Sequence, residues 1–144
     1  MCNQCDYVNL IEHSGLGQTP NRLRVLEIIG NSPHPISAQE IIAALNQSRD
    51  VNRVTVYRIL DLLVGNKLVE RISAGDRSFR YGLAPNANHQ PHSHFYCVEC
   101  GEMECLRPEH ISLDTEPLER SSFPGLIERV EVRFDGICED CRRQ

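Results

Sequence analysis

The chain has 144 residues, of which 40% are hydrophobic, and its formal net charge is −5. No apolar run approaches the ~20 residues that a membrane helix needs, so we expect no membrane-spanning helix. The opening segment 1–7 has neither a basic start nor a long apolar stretch, and the seven cysteines are odd in number. These features predict reduced thiols in a cytoplasmic protein rather than a secreted disulfide framework.

Charge is divided unevenly along the chain. Residues 1–84 carry nine Lys and Arg against eight Asp and Glu, whereas residues 85–144 carry six against twelve. Between these halves lies the polar stretch 84–91, whose two prolines and two asparagines are typical of a linker. We therefore predict two domains, 1–83 and 92–144, joined by a hinge at 84–91.

Three helix signals follow one another in the first half. Thr19 as N-cap and Pro20 at the first turn predict a helix that stops at Gly30. The sequence Ser37–Glu40 is a capping box, so a second short helix begins at residue 37 or 38. From residue 52 to 63 the apolar residues recur at i, i+3, i+4 and i+7, which predicts a third helix.

A hairpin signal comes next. Segments 68–72 and 78–81 alternate in character around the turn-forming residues 74–77, which predicts two paired strands. Three helices and a hairpin in this order indicate a winged helix, whose third helix enters the DNA major groove. The polar face of that helix and the hairpin supply the DNA-binding candidates Arg53, Thr55, Tyr57, Arg58, Arg77 and Arg80. A merely solvated face is the alternative, and the near-neutral charge of this half requires any footprint to be a local patch.

Two C-x-x-C pairs are the strongest chemical signal in the chain. Thirty-seven residues separate the first pair from the second, and Gly101 follows the first pair where a tight turn with positive φ would need it. Four thiolates suit tetrahedral Zn(II), and a closed site of this kind is structural because no position is left for water. The predicted zinc ligands are Cys97, Cys100, Cys138 and Cys141. Disulfides or unrelated buried cysteines are the alternatives.

Hydrolytic zinc chemistry is a different class of function. It would need an open metal position beside a general base, as in H-E-x-x-H, and no such motif occurs in the chain. We therefore expect neither an enzyme nor a small organic substrate.

Four segments together resemble the ferric uptake regulator family: 19–22, 37–41, 55–60 and 92–101. The combination of T-V-Y-R with H-x-H-x-x-C-x-x-C-G is specific, and the match runs from about residue 15 to residue 141. The resemblance implies an α/β (α+β) fold, with an N-terminal winged-helix DNA-binding domain and a C-terminal α/β dimerisation domain that holds the four-cysteine zinc site. It also implies a homodimeric, metal-dependent transcriptional repressor of metal-ion uptake genes that binds double-stranded DNA at a palindromic operator.

The same resemblance implies roles for individual residues. Tyr57 and Arg58 correspond to the base- and phosphate-contacting pair, and Arg22 joins the DNA-binding candidates.

A second, regulatory metal site is expected at the histidines. In a strand, His92 and His94 project from one face and Cys97 from the other, so the imidazoles do not belong to the thiolate site. Cys105 stands where the family commonly has Asp or Glu. A thiolate with two imidazoles favours Zn(II) over Fe(II) or Mn(II), which makes the chain most like the zinc-uptake-regulator branch. An Fe(II) sensor is the alternative, and a peroxide-responsive regulator is a further one.

The remaining regulatory ligands are left open by the resemblance. Zinc sensors often take one from the first wing strand, here Glu70, and His89 in the hinge is a substitute. His34 lies one position from the histidine that iron and peroxide sensors often use. All three are retained as candidates.

Three features outside these sites complete the predictions. Cys2 and Cys5 form a third C-x-x-C without a second pair and are predicted to be unligated, a redox or metal role with His13 being the alternative. His110 is expected on the surface at the start of a helix in the dimerisation domain. Segment 126–134 is predicted to be the closing strand of that domain.

Overall fold

The computed structural model describes residues 5–107, 109, 111, 114 and 116–144, apart from the side chain of residue 119. Its helices are α1 (Tyr7–Ser14), α2 (Pro20–Asn31), α3 (Ala38–Asn46), α4 (Arg53–Gly65), α5 (Glu116–Glu119) and α6 (Glu139–Arg142). Its strands are β1 (Val69–Ser73), β2 (Phe79–Leu83), β3 (His94–Cys97), β4 (Met103–Cys105) and β5 (Arg133–Gly136). Among the described residues, no helix is both long enough and apolar enough to span a membrane.

Helix α1 was not predicted from the sequence. The Asp6 side chain caps it by accepting a hydrogen bond from the Asn9 N–H at 3.1 Å, and its Ile11 is fully buried. The Tyr7 ring packs over Gly30, where an added Cβ would lie 2.4 Å from the ring. Helix α2 ends at Asn31, one residue beyond the stop predicted at Gly30, and the absence of a side chain at Gly30 permits close packing of α1.

The predicted starts of the next three helices are confirmed. Thr19 caps α2 with Pro20 at the first turn, and the capping box of Ser37 and Glu40 is complete at α3. Asn52 caps α4 by accepting a hydrogen bond from the Thr55 N–H at 2.9 Å. Because α1 precedes them, the helix predicted to read DNA is the fourth helix of the chain.

The core of the N-terminal half lies between these helices and the wing. The α4 residues Val56, Leu60 and Leu63 are fully buried, so the opposite face of α4 is left to solvent. Strands β1 and β2 pair in antiparallel register from Val69 opposite Leu83 to Ser73 opposite Phe79. The predicted hairpin is thus confirmed, and the winged-helix order of helices followed by a hairpin is present.

The C-terminal half contains a three-stranded sheet in the order β4-β3-β5. Strand β3 pairs antiparallel with β4, which places His94 opposite Cys105, and parallel with β5. The prediction of a closing strand over 126–134 is wrong in its extent, because the strand is Arg133–Gly136. Strand β3 has only four residues to pair with, so the alternating residues upstream of Arg133 find no partner strand in the described part of this chain.

Apolar side chains remain exposed on this half. Phe123 is 54% exposed and Leu126 is 86% exposed, well beyond what a core position allows. Other exposed members of the same half are Leu118, Ile127, Val130, Phe134 and Ile137. A concentration of large apolar side chains at a surface is typical of a protein–protein interface.

Candidate metal centres and DNA-reading helix

Four cysteines come together at the end of β3 and the start of α6. The ligand atoms of Cys97, Cys100, Cys138 and Cys141 all lie within 4.8 Å of one another. The Cys100 and Cys138 sulfurs are 3.8 Å apart. Zn–S bonds of about 2.3 Å at tetrahedral angles place two sulfurs about 3.8 Å apart, so this cluster has the dimensions of a zinc site with four thiolate ligands.

The backbone around the cluster favours thiolate. The Cys138 N–H donates to the Cys97 sulfur at 3.3 Å, and hydrogen bonds from the Cys100 and Cys138 backbone lower the Cys97 pKa to about 6. Gly101 turns the chain after the first pair with φ at +78°, which confirms the predicted turn. A metal ligand must be deprotonated, so this lowered pKa suits Cys97 to zinc.

A cavity of about 40 Å³ between the wing and the three-stranded sheet gathers the regulatory candidates. Its lining includes His34, Glu70, His89, His92, His94 and Cys105. The ligand atoms of His92, His94 and Cys105 lie within 4.8 Å of one another. These six residues, which come from the α2–α3 loop, strand β1, the segment 84–91 and the region of β3 and β4, therefore line a space only a little larger than the roughly 30 Å³ that one water molecule occupies in the liquid.

The two central imidazoles have free nitrogen acceptors. His94 is 3% exposed, and its Nε2 is a buried polar atom with no hydrogen-bond partner among the described residues. Burial lowers the His94 pKa to about 4, so this ring is neutral at physiological pH. The Nδ1 of His92 lies 3.1 Å from the Gln90 carbonyl oxygen, which can only accept, so Nδ1 is the donor and Nε2 carries the lone pair.

The thiol and the carboxylate of the cavity influence each other. Burial raises the Cys105 pKa to about 11, and the negative charge of Glu70 contributes to the rise. The Glu70 pKa is raised by burial, against the opposing effect of Arg129 and His92. The ring centroid of His89 lies 5.3 Å from that of His92, whereas His34 is exposed at the rim. The three side chains whose ligand atoms lie together, His92, His94 and Cys105, combine two imidazoles and a thiol, a ligand set that suits a divalent cation such as Zn(II).

Helix α4 presents its polar face to solvent. Tyr57 is 39% exposed, and Arg53 and Arg58 are also exposed. Arg77 is exposed at the tip of the wing, where its φ is +69°. These four side chains are available to a duplex.

Three of the predicted DNA-binding residues are hydrogen-bonded within the protein. The Thr55 N–H is taken up by the cap of α4, while its side chain is half-buried. Arg22 donates to the Gly17 carbonyl oxygen at 2.7 Å. Arg80 is 14% exposed and donates to Ser78 Oγ at 2.6 Å, so it braces the wing turn, which weighs against a DNA contact.

The sequence of this chain matches one known protein family over most of its length. Residues 13–122 match the family model described as the ferric uptake regulator family. The chain belongs to the ferric uptake regulator family. It is 29% identical to the ferric uptake regulation protein of Bacillus subtilis (strain 168), over 98% of this chain and 96% of that protein.

Solved structures agree with the fold of the family. The ferric uptake regulator Fur of Helicobacter pylori, described as having three functional metal binding sites, matches with a TM-score of 0.76 at 20% identity, over 99% of this chain and 97% of its own. A zinc uptake regulator complexed with zinc and DNA matches with a TM-score of 0.64 at 22% identity, over 94% and 90%. The chain is thus a metal-dependent transcriptional regulator of α/β fold and not an enzyme, in a family whose members bind divalent metals and DNA and act as dimers.

The sequence predicts reduced, unligated cysteines and an unligated histidine in the N-terminal segment. Cys5 is disulfide-bonded, so the expectation of a reduced thiol is wrong for this residue, while Cys2 lies outside the described residues. The Nδ1 of His13 donates to the Asn9 carbonyl oxygen at 2.9 Å, which anchors this ring within its own helix. His110 also lies outside the described residues.

Sequence reasoning missed the polar residues that join the wing to the C-terminal half. Ser73 at the end of β1 contacts Glu131 and Arg133. The alternation Arg129-Val130-Glu131-Val132-Arg133 carried the signal, because an extended chain places the three charged residues on one side.

Proposed function

We propose that the chain is a zinc-responsive repressor of metal-ion uptake genes. The observation that carries this proposal is the Cys105 thiol beside the imidazoles of His92 and His94, with the buried Nε2 of His94 lacking any partner in the described part of the chain. Two nitrogen ligands and one sulfur favour Zn(II) over the harder Fe(II) and Mn(II).

Glu70 and His89 complete the proposed donor set. Glu70 lines the same cavity as Cys105, and the His89 ring lies against His92 with 5.3 Å between the ring centroids. His34 is at the exposed rim and is the weakest of the three further candidates. The zinc at Cys97, Cys100, Cys138 and Cys141 is assigned a structural role because four protein ligands close its coordination sphere.

The proposed mechanism is a shift in the population of domain arrangements. In our assignment Glu70 belongs to a DNA-binding domain at 1–83, His89 to a hinge at 84–91, and His92, His94 and Cys105 to a dimerisation domain at 92–144. A divalent cation held by these five side chains would supply the positive charge that all of them bind. With the donors drawn together, the wing and the sheet hold one relative orientation, and conformations with other orientations lose population.

The dimer converts this orientation into DNA affinity. We assign the exposed apolar side chains of the C-terminal half, among them Phe123, Leu126 and Phe134, to the contact between two copies. Two α4 helices then reach successive major grooves of a palindromic operator if they stand about 34 Å apart. Tyr57, Arg58 and Arg53 contact bases and phosphates, and Arg77 meets the backbone from the wing.

Iron is the second candidate for the sensed metal. It is favoured by the relatives, since the Bacillus subtilis protein that this chain resembles is named a ferric uptake regulation protein. The thiolate of Cys105 is the feature of this chain that opposes iron, because Fe(II) prefers nitrogen and oxygen ligands in sites of this kind.

DNA-binding titration with each metal distinguishes the two. We expect Zn(II) to promote operator binding by the dimer at lower free concentration than Fe(II) or Mn(II), and Cys105→Asp to narrow that difference by exchanging a soft ligand for a hard one. Cys105→Ser serves as the control for loss of the thiolate without a new charge. Zinc dependence that is unchanged in both folded, dimeric variants would remove Cys105 from the site and favour iron.

A further inference from the structure

Charged residues just before β5 and at its first position hold the end of wing strand β1. The Glu131 carboxylate accepts hydrogen bonds from the backbone N–H of Ser73 at 2.8 Å and from its Oγ at 2.9 Å. Arg133 donates from Nη1 to the Ser73 carbonyl oxygen at 2.8 Å, and Arg129 donates to the Arg71 carbonyl oxygen at 2.8 Å. Both polar groups of the Ser73 backbone are therefore bonded to the C-terminal half of the chain.

The same segment is bonded to the backbone of a proposed regulatory ligand. The His94 N–H donates to the Val132 carbonyl oxygen at 3.1 Å, between the two residues that hold Ser73. On the other side, Glu70 lies three positions before Ser73 in β1 and lines the regulatory cavity. Segment 129–133 thus joins the strand that carries Glu70 to the strand that carries His94.

Apolar packing supports these hydrogen bonds. Ile72 and Ala74 from the wing form one buried cluster with Tyr96 and Met103 from the sheet. The wing backbone at Gly75 approaches the Tyr96 ring so closely that an added Cβ would lie 2.6 Å from it. Charge-assisted hydrogen bonds beside a buried cluster are stronger than those in open solvent.

We propose that Glu131 is a positioning residue: with Arg129 and Arg133 it clamps β1 against β5 so that Glu70 faces His92, His94 and Cys105, which raises the zinc affinity of the regulatory site. This inference rests on the proposed function in taking the cavity as that site. The clamp and the metal favour the same arrangement of wing and sheet, so each strengthens the other by the same factor.

Zinc affinity of the full-length dimer, with its structural zinc retained, tests the clamp. Competition with a chelator compares Glu131→Ala with Glu128→Ala, a matched control whose exposed carboxylate has no hydrogen bond or ion pair within the described residues. We expect Glu131→Ala to weaken zinc binding at the regulatory site about fivefold to tenfold and Glu128→Ala to leave it unchanged.

Ser73→Ala provides a second variant that removes the Oγ bond to Glu131 and the longer Oγ bond with Arg133, while the two bonds to the Ser73 backbone can remain. We expect it to weaken zinc binding by about threefold, and the double variant with Glu131→Ala to be no weaker than Glu131→Ala alone, because both changes break the same contact. Equal zinc affinity in Glu131→Ala and Glu128→Ala, or fully additive losses in the double variant, would overturn the clamp.

Amide exchange at Ser73 separates this inference from the proposed function. Zinc at the regulatory site should slow exchange of the Ser73 N–H in the wild-type dimer, and Glu131→Ala should speed it while Glu128→Ala does not. If the wild-type dimer takes up no second zinc, the proposed function fails, and the clamp is judged by the exchange rates of the two variants. Equal exchange in those variants refutes it.

Discussion

Zinc binding at the regulatory site should release one proton from Cys105. Burial and the charge of Glu70 raise the pKa of this thiol to about 11, so it is protonated throughout the physiological range. A cysteine ligand must be deprotonated to bind zinc, whereas the neutral His94, with its pKa lowered to about 4, has no proton to lose. Cys105 therefore gives up one proton when it binds zinc, and His94 gives up none.

The size of the effect follows from this pKa. As long as the pH is below about 11, each unit of pH should raise the zinc association constant about tenfold. Between pH 7.5 and 9 the increase is about 30-fold, or about 2 kcal/mol at 1.36 kcal/mol per unit. The zinc affinity rises with pH because protons and zinc compete for the same thiolate.

Isothermal titration calorimetry in buffers of different ionisation enthalpy counts the released protons. The titration uses the dimer with its structural zinc in place, and chelator competition gives the pH dependence of the affinity. Cys105→Asp is the matched control, because a carboxylate is already ionised in this range and should give neither the release nor the slope. A wild-type release near zero, or an equal slope in Cys105→Asp, would refute the assignment of Cys105 as a ligand.

Three further predictions concern the structural zinc, the DNA-reading helix and acid stability. Cys97→Ser or Cys138→Ser should lose one zinc per chain, measured by metal analysis, and with it the dimer, since a structural zinc contributes on the order of 10 kcal/mol to folding; a dimer with unchanged zinc would contradict the site. Tyr57→Ala and Arg58→Ala should each weaken operator binding by about 1–3 kcal/mol in a mobility-shift assay without altering zinc content, because both side chains are exposed on α4; wild-type affinity in both would mean that another surface reads DNA. With the regulatory metal removed, the free energy of unfolding should fall by about 3 kcal/mol as the pH drops from 6.5 to 4. The reason is that burial depresses the His94 pKa to about 4 in the folded state, so the unfolded chain takes up the proton first. Denaturant titrations of His94→Gln should show a smaller change of this free energy with pH, and an equally large change would place the acid sensitivity elsewhere.

Local chemistry made much of this protein predictable. The caps at Thr19, Ser37 and Asn52 start their helices where the sequence places them, because a capping side chain bonds to an N–H only three residues away. The paired C-x-x-C motifs likewise predict the cysteine cluster, since each pair turns two sulfurs toward one point within four residues of chain. Such features depend on neighbours in the chain and are therefore visible in the sequence.

Tertiary structure decided what depends on distant neighbours. The sequence predicts a helix end at Gly30, and α2 does end one residue later, but only the structure shows that the Tyr7 ring packs against this glycine. The alternation before Arg133 predicted a long strand, yet pairing extends only as far as β3 offers partners. The cavity beside His94 and the bonds from Glu131 to Ser73 join residues that are far apart in the chain, and only the packing of the wing against the sheet brings them together.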